Sequence, residues 1–172
     1  MAIDSWFVGR PLSADDLNDA YPLGIIALGN RGSNKALSTT NTGYLRVDGV
    51  ALKNGRTYAV VAANIRLSIT TSVGASDHYT ADIRQDLTGA AATTASTEIG
   101  RSELTAANST SDDTYPPIIA LVHPSADVTG SFLLSARFVT GAITASLQAD
   151  SPGINLFVVD LGIAVADTGV DI

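Results

Sequence analysis

The feature that most constrains this chain is its rhythm. Short apolar or alternating stretches recur along it, and Gly, Asn, Asp, Ser or Pro separates each from the next. Spacing of roughly 8–12 residues between such stretches is the pattern of a β-sandwich or barrel. Residues 77–87 alternate cleanly, with Tyr79, Ala81, Ile83 and Leu87 on one face and His78, Thr80, Asp82, Arg84 and Asp86 on the other. Residues 131–140 repeat the pattern through Phe132, Leu134, Ala136 and Phe138. Residues 57–70 are long for one strand. Their apolar phase shifts near Ala62-Ala63, which predicts a bulge. Asp48-Gly49 and Lys53-Asn54-Gly55 read as turns.

Further strands are expected at 23–28, 44–47, 99–104, 118–122, 142–149 and 154–165, with turn-like or loop segments at 90–97 and 106–115. The sum is about eight or nine strands, and eight is the number a jelly roll needs. The expected fold is all-β, a jelly-roll-like antiparallel sandwich over 23–172 preceded by a short arm with a helix over 1–22. The last strand is apolar on both faces, Phe157, Val159, Leu161 and Ile163 on one and Leu156 and Val158 on the other. A strand of that kind is buried on both sides. Leu156 and Val158 are therefore expected to line a subunit interface.

Composition agrees. Only 16% of the 172 residues are charged, and 45% are hydrophobic, which fits a folded chain rich in small and β-branched residues. The acids are nearly all Asp, Glu98 and Glu103 being the two Glu. Asp suits turns, whereas Glu suits helices. A net charge of −7 argues against nucleic acid and anionic membrane as partners, because both call for Lys and Arg. There is no Cys, so disulfides and thiolate metal sites are excluded. The start, Met1-Ala2-Ile3-Asp4-Ser5-Trp6, has no secretory pattern, and no apolar run reaches membrane-spanning length. A soluble protein made in the cytoplasm is expected.

The arm reads differently from the body. Ser13-Ala14-Asp15-Asp16 is a capping-box-like helix start, Leu12, Leu17 and Ala20 form a thin apolar stripe, and Pro22 ends it. Ahead of it stand Trp6, Phe7 and Val8. This cluster either tucks onto its own domain or anchors in a neighbouring subunit, as aromatic hot spots do. Trp6, Phe7, Val8, Leu12 and Leu17 are the candidate docking residues.

Chemistry is sparse. No nucleotide-binding or nucleophile-elbow motif occurs, and His78 and His123 stand apart with no nucleophile at a recognisable spacing. Asp77 and Asp112-Asp113 lack calcium-loop spacing. Asn108-Ser109-Thr110 fits a glycosylation sequon without a signal peptide to make use of it. The reading is no enzyme, no cofactor and no metal.

Two groups of residues carry a resemblance. Val8-Gly9-Arg10-Pro11-Leu12-Ser13-Ala14-Asp15-Asp16-Leu17-Asn18 resembles an opening common in head and tail proteins of tailed bacteriophages. Leu23-Gly24-Ile25-Ile26-Ala27, Leu52-Lys53-Asn54-Gly55-Arg56-Thr57-Tyr58 and Asp160-Leu161-Gly162 are similar to recurrent pieces of small β-sandwich virion proteins of phages infecting actinobacteria. The resemblance implies a virion structural protein without catalytic residues. It would be a homotrimer whose arm attaches to the major capsid protein or another virion protein, with the sandwich on the outer surface of the particle. Such proteins occur as capsid decoration or minor capsid proteins and, alternatively, as minor tail or fibre-base proteins.

Overall fold

The structure, a computed structural model, describes residues 24–31, 33–71, 77–106, 112–139, 144–148 and 153–163. The arm, with the helix expected in it, falls outside them, as does the sequon. Twelve strands are present: β1 (Gly24–Arg31), β2 (Lys35–Ala36), β3 (Thr42–Leu52), β4 (Arg56–Ala63), β5 (Arg66–Thr71), β6 (Asp77–Asp86), β7 (Thr97–Ala106), β8 (Asp112–Thr114), β9 (Ile118–Val122), β10 (Val128–Phe138), β11 (Thr144–Gln148) and β12 (Ile154–Ile163). Among the described residues there is no helix. All ladders are antiparallel.

The three sheets reduce to two layers. Their orders are β1-β12-β4-β9, β2-β11-β5-β8 and β3-β10-β6-β7. The first two match strand for strand, since β1 leads into β2, β4 into β5, β8 into β9 and β11 into β12. They are one four-stranded sheet folded across a crease. Counting each creased strand once leaves eight, ordered 1-8-3-6 in one layer and 2-7-4-5 in the other. That is the double Greek key of a jelly roll, so the all-β antiparallel sandwich expected for the body is the one observed.

The crease revises one expectation. The phase shift after Ala62-Ala63 is not a bulge within one strand. Asn64 takes the left-handed conformation at φ 57, which Asn tolerates better than most residues, and the chain passes from β4 to β5. The opposite revision applies at Asp48-Gly49. This dipeptide is no turn but a bulge inside β3: Val50 pairs with Gly130 and Val47 with Phe132, leaving two residues opposite Ser131. Gly49, at φ 72, supplies the positive φ that such a bulge needs. Lys53-Asn54-Gly55 does turn, between β3 and β4, and Asp127 clamps it by accepting from the Asn54 N–H and from Lys53 Nζ.

The core lies between the layers. Tyr79, Ala81 and Ile83 of β6 meet Phe132, Leu134 and Ala136 of β10, and across from them lie Tyr58, Val60 and Ala62 of β4 and Ile154, Leu156 and Val158 of β12, all essentially inaccessible. The layers close at one side where β7 approaches β9. A side chain at Gly100 would put its Cβ 2.9 Å from Ile118 Cγ2 and 3.4 Å from Ala120 Cβ. Gly100→Val is therefore expected to cost about 1–3 kcal/mol through overpacking, read as a lower midpoint in chemical denaturation. Full parental stability of that variant would show that the seam is not close-packed.

Candidate interaction surface

Every strand of the β1-β12-β4-β9 sheet turns alternate residues into the core, and what remains on the outside is also apolar. Cross-strand register assembles these outer residues into rows. Leu28 lies beside Phe157, Phe157 beside Val61, and Val61 beside Ile119. One step along, Ile25 lies beside Val159, Val159 beside Ala59, and Ala59 beside Leu121. Leu161 follows at a bulge in β12, after which the phase shifts and Ile163 pairs with Arg56 at the strand end. The exposed members Ile25, Leu28, Ile119, Leu121, Leu161 and Ile163 are each 46–66% accessible. Ile25, Leu28, Ile119 and Leu121 make the rows a contiguous apolar patch on the scale of the largest patch of a typical monomer, about 300–600 Å².

Polar pairs bound the rows. At one end Asn30 Nδ2 donates to Asn155 Oδ1 at 2.9 Å. At the other, Thr57 Oγ1 lies 3.1 Å from His123 Nδ1. Beyond the crease the outward positions turn polar, with Arg66, Ser68 and Ser146 partly exposed. An apolar centre with a polar margin is the anatomy of a protein interface.

Behind this face the ends of β4 and β12 are locked together. Arg56 Nε donates to both carboxylate oxygens of Asp160, at 3.1 and 2.8 Å, and the Gly162 N–H donates to Asp160 Oδ1 at 2.8 Å. Both side chains are buried, at 7% and 6% accessible. The Gly162 contact ties the bulge in β12 to this lock.

The outer face of the other layer is built differently. Thr80, Asp82, Ser131 and Ser135, on strand faces that alternation marks as polar, are buried. The 87–96 segment folds over part of this face: the Ala92 N–H donates to Ser131 Oγ at 2.7 Å, and the Ser131 hydroxyl donates to Asp48 Oδ1 at 2.5 Å. The hydrogen bond from Ser131 holds the Asp48 carboxyl below its usual range, with Arg46 contributing. Asp82 accepts from the Ser135 hydroxyl, from Arg84 Nε at 2.9 Å and from Asn41 Nδ2 at 3.0 Å. Arg84 in turn reaches the Ser96 carbonyl at 3.0 Å and Glu98 at 3.1 Å. Beside the segment runs an open groove of about 380 Å³, lined by Lys35, Tyr44, Leu133, Ala92, Thr93 and Thr94 among others. The fixed charges here are spent on holding the segment down.

The site expected from sequence is partly displaced. Leu156 and Val158 are fully buried in the chain's own core, so they do not line an outer surface. The register of β12 against β4 turns them inward, and the half-exposed side carries Phe157, Val159, Leu161 and Ile163. Trp6, Phe7, Val8, Leu12 and Leu17 lie outside the described residues. Sequence reading passed over Leu28, Ile119 and Leu121. The signal was in the unbroken apolar run 118–122, in which successive residues must point to opposite faces. His78 and His123 do not converge, and among the described residues no three His, Cys, Asp or Glu side chains form a metal-binding group.

No family model matches this chain, and no curated protein matches it. Among solved structures it is similar to the CBM22-1–GH10 modules of xylanase 10B from Clostridium thermocellum, crystallised with xylohexaose. Identity is 12% and the TM-score 0.33, over 87% of this chain and 30% of that one. The chain thus spans less than a third of the length of the protein it resembles.

Proposed function

We propose that this chain is a structural protein of a bacteriophage particle that works by attachment and packing rather than by catalysis. The single observation that carries the reading is the outer face of the β1-β12-β4-β9 sheet: apolar cross-strand rows bounded by polar pairs, suited to contact with protein. The arm supports it from the other end of the argument, because its sequence resembles the opening of phage head and tail proteins. A jelly roll hosts many functions and does not itself choose among them.

In this reading the protein is a homotrimeric capsid decoration or minor capsid protein. Trp6, Phe7 and Val8 anchor the arm in the major capsid protein or another virion protein, and the sandwich stabilises the particle from its surface. The test is incorporation. A chain lacking residues 1–22 is expected to fold, with the near-ultraviolet circular dichroism and unfolding midpoint of the parent, and to be missing from purified particles. Recovery of the truncated chain in particles at parental copy number would end the docking role of the arm. Dissociating particles into heads and tails places the protein: hundreds of copies with heads mean decoration, and a few with tails mean the minor tail or fibre-base alternative.

A further inference from the structure

We propose that the outer face of the β1-β12-β4-β9 sheet seats a second copy of this chain. The inference deepens the assembly reading and rests on it for the expectation that several copies act together. Particle incorporation is not its readout, so either can fail while the other stands.

Three observations select the occupant. The first is charge. The chain carries a net −7, so two copies repel wherever their charged surfaces meet, and the two cross-strand rows contain no charged residue. A basic partner would find no acid on these rows, and a polyanion no Lys or Arg. An acidic copy meets no opposing charge on them.

The second is shape and chemistry. Outer positions of β12, such as Phe157 and Val159, are as apolar as its core positions Leu156 and Val158. The sheet is thus built to be covered on both sides. A pleated apolar face is matched by another pleated apolar face, stacked about 10 Å away as sheets stack within a sandwich. An identical face supplies that match as a two-fold pair, a contact between copies in addition to those that would close the proposed trimer.

The third is area. The exposed side chains of the rows are joined by half-exposed Val61, Phe157 and Val159 into one face, approaching the ~800 Å² per partner of a standard stable interface. It also stops where it should, at the Asn30–Asn155 pair, the Thr57–His123 pair and the crease.

Light scattering on the full-length chain tests this, with Leu28→Lys and Ile119→Lys as separate variants. Val139→Lys serves as control, since Val139 is 48% exposed and follows β10 in the other layer. The parent and the control are expected at a multiple of 17.7 kDa. Each face variant is expected to weaken association at least ~10-fold, because a Lys ammonium would be buried without a partner. Circular dichroism identifies any variant that fails to fold, and the other then decides. A monomeric parent overturns the proposal, including the case in which residues 1–23 occupy the face themselves. So do folded face variants that associate as tightly as the control.

Discussion

Replacing Asp160 with alanine is expected to cost about 3–5 kcal/mol of folding stability, because it strands the Arg56 guanidinium in a buried site without its counter-charge. The pair is closed off from solvent and makes two hydrogen bonds, with a third from the Gly162 N–H. Arg56→Ala is expected to cost a similar amount by stranding the carboxylate. Replacing both with apolar residues of like volume, Arg56→Met with Asp160→Leu, should cost clearly less than the sum, since no unpaired charge remains. Urea denaturation of the two singles and the double measures this directly. A loss below about 1 kcal/mol in both singles would mean that water reaches the pair.

Asp82→Ala is the second large effect, again about 3–5 kcal/mol. This carboxylate is 1% accessible and accepts from three side chains on three segments: Ser135 of β10, Arg84 of its own strand and Asn41 ahead of β3. Removing it leaves a hydroxyl, a guanidinium and an amide to find partners in a closed space. Asp82→Asn keeps the shape and loses the charge, so its cost should be smaller, about 1–3 kcal/mol. The loss should also be felt at a distance. Arg84 ties Asp82 to the Ser96 carbonyl and Glu98, so hydrogen exchange is expected to quicken at Ala92 and its neighbours in Asp82→Asn while β4 and β12 keep their protection. Uniform quickening across both layers would show that Asp82 supports the whole sandwich and not this segment in particular.

These two networks mark where reading the sequence succeeds and where it stops. Alternation located β6 and β10 and named their inward faces, since Tyr79, Ala81, Ile83, Phe132, Leu134 and Ala136 contrast with polar neighbours. Contrast is what periodicity measures. It misled on the opposite side of the same strands. Thr80, Asp82 and Ser135 look solvated by their chemistry, yet they are covered by elements distant in sequence. It also had no purchase on β9 and β12, where both faces are apolar. Which face of β12 packs inward depends on pairing with β4, a contact across about a hundred residues that no local window contains. Alternation separates the two faces of β12 but does not say that Leu156 and Val158 are on the inner one. The break at Asn64 was visible as a change of phase. That a strand then continues in the second half of a creased sheet is a property of all four creased strands together, and no single one of them carries it.

The adjacency of β1 and β12 has a mechanical consequence. Gly24 pairs with Asp160, three residues before β12 ends at Ile163, so the described sandwich is entered and left at one corner. A load that draws those two points apart opens the β1–β12 ladder rung by rung, as a zipper opens. A load applied at Gly24 and resisted at Ile154, at the opposite end of the same ladder, shears all of its rungs together. The same sheet therefore yields easily to one direction of pull and resists another, and the direction in which a neighbour holds it sets its strength.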